Sequence, residues 1–233
     1  MRTTTDHGMT IAVVGATGMV GSRVTDEAGA RGHRVLALSR KPADTPTGNS
    51  NVTPLAVDTT DADALREALA GSASHRAADA VVLAVRTVPV DERFLVGATR
   101  TVLDTAARLG IRVLVVGGAG ALRSPGDRDL LVADNPAYVP PDIKAVAAAG
   151  VAQLRTCRSH TDADHVYLSP PALLEPGIRT GRYRRGTDTL LLDADDRSWI
   201  SAEDLAVAVI DELETPGADP LITVVHDGQH SPA

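Results

Sequence analysis

The chain has 233 residues and a formal net charge of −7. That length suits one α/β domain with room for a small extra lobe, and the acidic balance argues against a nucleic-acid partner and against an anionic membrane surface. One cysteine, Cys157, excludes an intrachain disulfide framework and a cysteine-rich zinc site.

Residues 1–9 read as a loose polar tail without the apolar core of a signal peptide. No apolar run approaches the ~20 residues of a membrane span, so the expectation is a soluble cytoplasmic protein. Aromatic residues are too scarce for a stacking platform: Phe94, Trp199, Tyr138, Tyr167 and Tyr183.

The stretch from Thr10 to Ser39 organises the rest. Ile11 to Val14 reads as a buried strand, and it runs into Gly15-Ala-Thr-Gly18-Met-Val-Gly21. Val20, Val24 and Ala28 then recur at helical spacing, Gly32 stops the helix, and His33 to Leu38 supplies a second strand. Strand, glycine turn, helix and strand form the first half of a dinucleotide-binding unit. Gly15 lets the chain turn off the strand, Gly18 lets a pyrophosphate approach the backbone, and Gly21 lets the helix pack close. The helix N-terminus then offers free N–H groups to the phosphates.

Alternation continues. Strands are predicted at Asn51 to Val57, Asp79 to Val85, Ile111 to Val116 and His165 to Ser169. Helices are predicted at Asp61 to Leu69, Phe94 to Leu109 and Ile143 to Arg158. After Pro170-Pro171 the alternation fails. Arg179 to Arg184 and Thr189 to Leu192 are read as a small ribbon. Ser201 caps a helix that buries Leu205, Val209 and Leu213, and Leu221 to Val225 closes the sheet. The pattern implies an α/β Rossmann-like fold: a doubly wound parallel sheet in one domain spanning 10–233. Substrate-lobe segments are expected mainly within 170–201.

Ligands in such sheets bind beyond the carboxyl ends of the strands. The cofactor residues expected there are Gly15, Thr17, Gly18, Met19, Val20, Arg40, Lys41, Asp58, Thr59, Val85, Arg86, Gly117, Gly118, Ala119 and Pro170. The second strand ends in Ser39-Arg40-Lys41, without the acid that would hold an unphosphorylated ribose. Arg40 suits a 2′-phosphate, so the expected cofactor is NADPH. Asp58 and Thr59 fall near the adenine edge.

The runs GATGMVG, VLVVGGAGAL, YLSPPALLEPGIRTGRYRRGTD and SWISAEDLAVAVIDELE resemble the atypical short-chain dehydrogenase/reductase group. Within it the chain resembles NmrA-like proteins, NADH-flavin reductases and biliverdin-IXβ reductase. The resemblance implies an NADPH-binding Rossmann fold and reduction of a flat conjugated molecule such as a flavin, quinone or enone. It also leaves open an NmrA-like sensor of NADP(H) without turnover, and a non-redox isomerase or cyclase. Family members usually carry Ser where this chain has Ala121, and the Tyr-x-x-x-Lys pair of larger relatives is missing. Tyr138 and Lys144 are six positions apart across Pro140-Pro141, which breaks a continuous helix.

Catalysis is therefore unassigned, with Tyr138, Tyr167 and Ser169 as weak candidates. Ala121, Leu122, Tyr138, Pro171 and Arg179 are expected to meet a small aromatic or conjugated substrate. Arg179, Arg182, Arg184 and Arg185 either pair with neighbouring acids or recognise a substrate carboxylate or phenolate. His160, Asp162, Asp164 and His165 crowd one connection, but no second cluster completes a site, so no metal is expected. Asp193, Asp195 and Asp196 read as a solvated turn. The protein is expected to be a monomer or homodimer.

Overall fold

The computed structural model describes residues 8–41 and 50–228. The expected tail lies outside these residues except for its last two positions, as does the loop with Pro42, Pro46, Gly48 and Asn49.

The first half alternates as the apolar runs dictate: β1 (Thr10–Val14), α1 (Met19–Ala30), β2 (Arg34–Ser39), β3 (Val52–Ala56), α2 (Ala62–Ala70), β4 (Ala80–Leu83), α3 (Glu92–Leu109) and β5 (Arg112–Val116). A short hairpin follows, β6 (Arg123–Ser124) and β7 (Asp127–Leu131), then α4 (Lys144–Ser159) and β8 (His165–Ser169). The remainder comprises β9 (Leu173–Glu175), β10 (Tyr183–Gly186), β11 (Trp199–Ser201), α5 (Ala202–Glu214) and β12 (Leu221–His226).

Eight strands form the main sheet in the order β10-β12-β8-β5-β4-β1-β2-β3, all parallel except β10. The order reverses direction between β1 and β4, which opens a crevice at the carboxyl ends of those two strands.

The central strands are apolar at most positions, because both faces of the sheet are covered. Alternate residues point to opposite faces. Ala12, Val14, Leu36, Leu38, Val81, Leu83, Val113, Val115 and Tyr167 pack with Leu65 and Leu69 of α2, Val102 and Leu103 of α3, and Leu154 and Cys157 of α4. Ile11, Val13, Val35, Val82, Leu114, Val166, Leu168, Ile222 and Val224 pack instead with Val24 and Ala28 of α1 and Leu205, Val209 and Ile210 of α5. Burial pushes the Cys157 thiol up to about 12, so it stays protonated and inert.

The region after Pro170 departs from the expected arrangement. Residues 179–184 and 189–192 form no ribbon with one another. Tyr183–Gly186 pairs antiparallel with β12 and becomes the sheet edge, so β12, the last strand of the chain, joins the sheet one place inside that edge. Thr189 bridges to Arg123 instead. Single-sequence alternation signals a strand but not its partner. Strands β9 and β11, too short to show a period, pair parallel with each other.

Two runs that carried the family resemblance dock onto each other here. Ser201 caps α5 by accepting from the Asp204 N–H at 3.0 Å, and its hydroxyl donates to the Ile178 carbonyl at 3.1 Å. The fully buried Asp204 carboxyl accepts from the Thr180 N–H (2.7 Å), the Thr180 hydroxyl (2.6 Å) and the Gly181 N–H (2.8 Å). Glu203 accepts from the Gly177 N–H at 2.7 Å and from Arg23 of α1 at 3.0 Å. A pair of adjacent acids at a helix N-terminus thus folds the 176–181 loop against α5 and α1.

Removing the Asp204 carboxyl strands three donors and opens a buried void. We expect Asp204→Ala to cost about 3 kcal/mol. In a chain of this size that lowers the thermal midpoint by about 6–12 °C, which calorimetry would measure. An unchanged midpoint would show that the loop is held by other means.

Candidate functional site

The turn between β1 and α1 is shaped by what its glycines approach. Gly15 has φ +89°, and a Cβ there would overlap the Ala84 carbonyl at the end of β4. A Cβ on Gly21 would overlap the Gly15 carbonyl, so the first turn of α1 lies directly on the strand end. Gly18 caps α1 with no side-chain hydrogen bond, and the first turn carries no acid. The leading N–H groups of α1 are therefore free to receive an anion.

A cleft of about 160 Å³ opens at this point. Gly15, Thr17 and Gly18 form one wall, Leu38, Ser39 and Arg40 from β2 a second, Val57 and Thr59 after β3 a third. Ala84, Val85, Arg86 and Thr87 after β4, with Phe94 of α3, complete it. In a chain of net charge −7, this cleft is lined by two arginines and by no acid. Its local field favours anions whatever the overall charge.

Of the residues expected to hold a cofactor, Gly15, Thr17, Gly18, Arg40, Thr59, Val85 and Arg86 line this cleft. Met19 and Val20 open α1 beside it. Lys41 is exposed next to Arg40. Asp58 is exposed and spends its carboxylate locally, accepting from the Thr60 N–H at 2.9 Å and hydroxyl at 2.8 Å. These donors, with the Arg40 charge adding to them, hold it below the usual carboxylate range. Gly117, Gly118 and Ala119 follow β5, and Pro170 and Pro171, both buried, follow β8. Strand register puts these ends beside Val85 along the same edge of the sheet.

Sequence reasoning passed over Ser39, Thr87 and Phe94. Ser39 carries a signal in retrospect. It ends β2 immediately before Arg40, and its hydroxyl is buried without a hydrogen-bond partner among the described residues. Bare helix N–H groups, glycines with no room for a Cβ, an orphaned hydroxyl and two arginines together fit a dinucleotide.

Several expected substrate or catalytic residues sit elsewhere. Tyr167 is fully buried, its hydroxyl donates to the Gly150 carbonyl at 3.1 Å, and burial pushes its pKa up. It cannot reach a substrate as an acid. Ser169 is also fully buried and donates to the Gly118 carbonyl at 3.2 Å. Leu122 is fully enclosed with Val132 and Leu190, and Ala121, 8% exposed, packs into the main core. Tyr138, half-buried, packs against the Leu122, Val132 and Leu190 cluster.

Arg179 turns to α1, where it grips the buried Glu27 through two hydrogen bonds of 2.7 and 2.8 Å. Arg31 meets the same carboxylate at 2.8 Å and reaches Asp211 and Glu214 of α5. Arg185 pairs with Asp219 and Glu212, and Arg184 donates to the Leu192 carbonyl. Arg179, Arg184 and Arg185 thus divide among neighbouring acids and the backbone, while Arg182 is held through its N–H, which donates to the Thr180 hydroxyl. His160 faces Asp104, Asp164 faces Arg112, and no group that could hold a metal occurs among the described residues. Asp193 is buried, not solvated, and closes its turn by accepting from the Asp195 and Arg197 N–H groups.

With the geometry in place, the comparisons with known proteins are specific. Residues 15–216 match the NAD(P)H-binding family, and the chain belongs to it. A candidate exported protein from Burkholderia pseudomallei is 36% identical, with a TM-score of 0.81 over 94% of this chain and 100% of that one. A candidate epimerase from Bacteroides thetaiotaomicron is 33% identical, with a TM-score of 0.83 over 96% of this chain and 100% of that one. A candidate NADH-flavin reductase from Streptococcus pneumoniae is 25% identical, with a TM-score of 0.76 over 94% of this chain and 100% of that one. Family membership supports a nicotinamide dinucleotide as the cofactor. Among the described residues no helix is long and apolar enough to cross a membrane.

The Glu27 pairing has a pH signature. The Arg179 hydrogen bonds hold Glu27 below its ordinary value of 4.5, against its burial, and Arg31 adds to them. A carboxylate depressed in the folded state stabilises fully above its unfolded pKa and loses that contribution as pH falls through the folded one. Wild type should therefore exceed Glu27→Gln in stability at pH 7, with the gap closing below about pH 4.5. Urea unfolding of both proteins across pH 3–7 checks this. A gap independent of pH would remove the ionic account.

Proposed function

We propose that this protein is an NADPH-dependent reductase that delivers hydride to a flat conjugated small molecule of flavin, quinone or enone type. The observation that carries the reading is the acid-free cleft, with Arg40 and Arg86 facing the bare N-terminus of α1. Likeness to a candidate NADH-flavin reductase supports the reaction class.

In this reading the N–H groups of Met19 and Val20, at the start of α1, receive the pyrophosphate. Arg40 forks onto the 2′-phosphate, and the orphaned Ser39 hydroxyl donates beside it. Thr59 borders the adenosine. Val85 and the Gly117-Gly118-Ala119 backbone hold the nicotinamide end, with Pro170 and Pro171 closing the far side. The cofactor, when bound, supplies the hydride. The chain contributes position and exclusion of water. At the nicotinamide end the Tyr167 and Ser169 hydroxyls are fully buried and donate to backbone carbonyls. The proton is then taken from water or supplied within the substrate, which suits conjugated acceptors better than isolated ketones.

Likeness to a candidate epimerase favours a second reading, a non-redox rearrangement in the same cleft. NADPH oxidation measured over a panel of flavins, quinones and enones separates the two. Consumption of NADPH supports the reductase. Product without net consumption identifies the rearrangement, and binding without either points to a nucleotide sensor.

Gly18 leaves little room, since a Cβ would stand 3.2 Å from the Gly15 carbonyl. Gly18→Val should abolish NADPH binding in calorimetric titration while the circular dichroism spectrum stays that of wild type. Retained affinity would remove the turn from the site.

Arg40→Ala should weaken NADPH by about 1.5–3 kcal/mol, the scale of a hydrogen bond to a charged group, and leave NADH nearly unaffected. Equal losses for both would count against a 2′-phosphate contact.

A further inference from the structure

The residue after Gly117 is held in an unusual way. Its N–H donates to the Tyr167 hydroxyl at 3.3 Å. Its carbonyl accepts from the Ser169 hydroxyl at 3.2 Å. Both side chains come from β8, two positions apart, and both are fully buried. Behind Gly118 stands α4, where a Cβ on Gly150 would lie 3.6 Å from the Gly118 Cα. The Tyr167 ring occupies the space where a Cβ of Gly117 would be. Tyr167 is itself fixed, since it donates to the Gly150 carbonyl and has Gln153 Oε1 at 3.3 Å. Gln153 in turn donates to the Thr99 hydroxyl of α3 at 3.1 Å.

One side of Gly118 is left open. A Cβ built there meets nothing within 4 Å. The backbone (φ −132°, ψ 157°) is ordinary extended geometry open to any residue. Neither conformation nor packing against the protein therefore requires glycine at this position. Its polar groups are both occupied by β8, so the open side presents mainly Cα–H to whatever lies there.

We propose that Tyr167 and Ser169 are positioning residues that clamp Gly118 as a flat shelf for the nicotinamide ring. This rests on the cofactor reading above. The two hydroxyls turn the polar edges of Gly118 away from the ring and fix its height. Glycine keeps the shelf low enough for an aromatic ring to lie on it. The two weak acid candidates of β8 thereby act through the backbone, without touching the reacting atoms.

The test separates the nicotinamide half of the cofactor from the rest. Wild type, Tyr167→Phe, Ser169→Ala, Gly118→Ala and Gly118→Val are titrated with NADPH and with adenosine 2′,5′-bisphosphate, which lacks the nicotinamide. Thermal midpoints are recorded alongside. Tyr167→Phe keeps the ring under Gly117 and removes the hydroxyl that meets Gly118, together with its contacts to Gly150 and Gln153. It should weaken NADPH by about tenfold, the scale of one hydrogen bond, and leave the bisphosphate unchanged. Ser169→Ala should act in the same direction. Gly118→Ala and Gly118→Val should weaken NADPH in increasing order, with bisphosphate affinity and thermal midpoint held at wild-type values. Equal losses for both ligands, or NADPH affinity unchanged in the Gly118 variants, would overturn the shelf. A wild type that binds neither ligand would overturn the cofactor reading and the shelf with it. If Tyr167→Phe fails to fold, the Gly118 variants decide, because a Cβ there meets nothing within 4 Å.

Discussion

The contact between Gly21 and the Gly15 carbonyl sets the position of α1, and much of the molecule is keyed to that helix. No Cβ fits between them, so the helix begins on the strand end itself. This closeness aims the uncapped N–H groups of α1 into the crevice between β1 and β4. It also fixes the far end of the helix. Arg23 meets Glu203, Glu27 meets Arg179, and Arg31 meets Asp211 and Glu214. One helix therefore connects the glycine turn after β1 to α5 and to the loop that precedes β10.

That linkage explains why the later part of the chain carries so many charges without offering them to a ligand. Asp204, Glu203, Arg179 and Arg185 are occupied in holding segments that have little regular structure of their own. The loop at 176–181 lacks a ladder, so its N–H groups go to carboxylates at the start of α5. The cleft is lined by polar groups that the framework does not engage. Ser39 is orphaned, and Arg40 and Arg86 form no ion pair with the described residues.

The glycines after β5 extend this logic to the other end of the crevice. Gly117 is small because Tyr167 lies beneath it, whereas Gly118 is small with nothing above it. Adjacent positions with the same residue thus answer to opposite causes, one internal packing and the other open space. A string of letters does not distinguish the two.

Much of the fold was legible in the sequence. Apolar runs of four to six residues between amphipathic helices imply a parallel sheet covered on both faces, and that sheet forms. The glycine turn, Arg40 after β2 and the strand ends were also readable, because each depends on neighbours close in sequence. The antiparallel edge strand β10, the pairing of β9 with β11, and the division of the arginine cluster among acids up to 152 positions away were not. Those partners are chosen by which surfaces the sheet brings together, and period and propensity carry no address. The same holds for Tyr167, Ser169 and Ala121. Their positions near a strand end marked them as site residues, and only the packing of α4 against β5 and β8 decided that their side chains face the core. Local chemistry fixed where the crevice lies; burial, which is a property of the assembled whole, decided which side chains reach it.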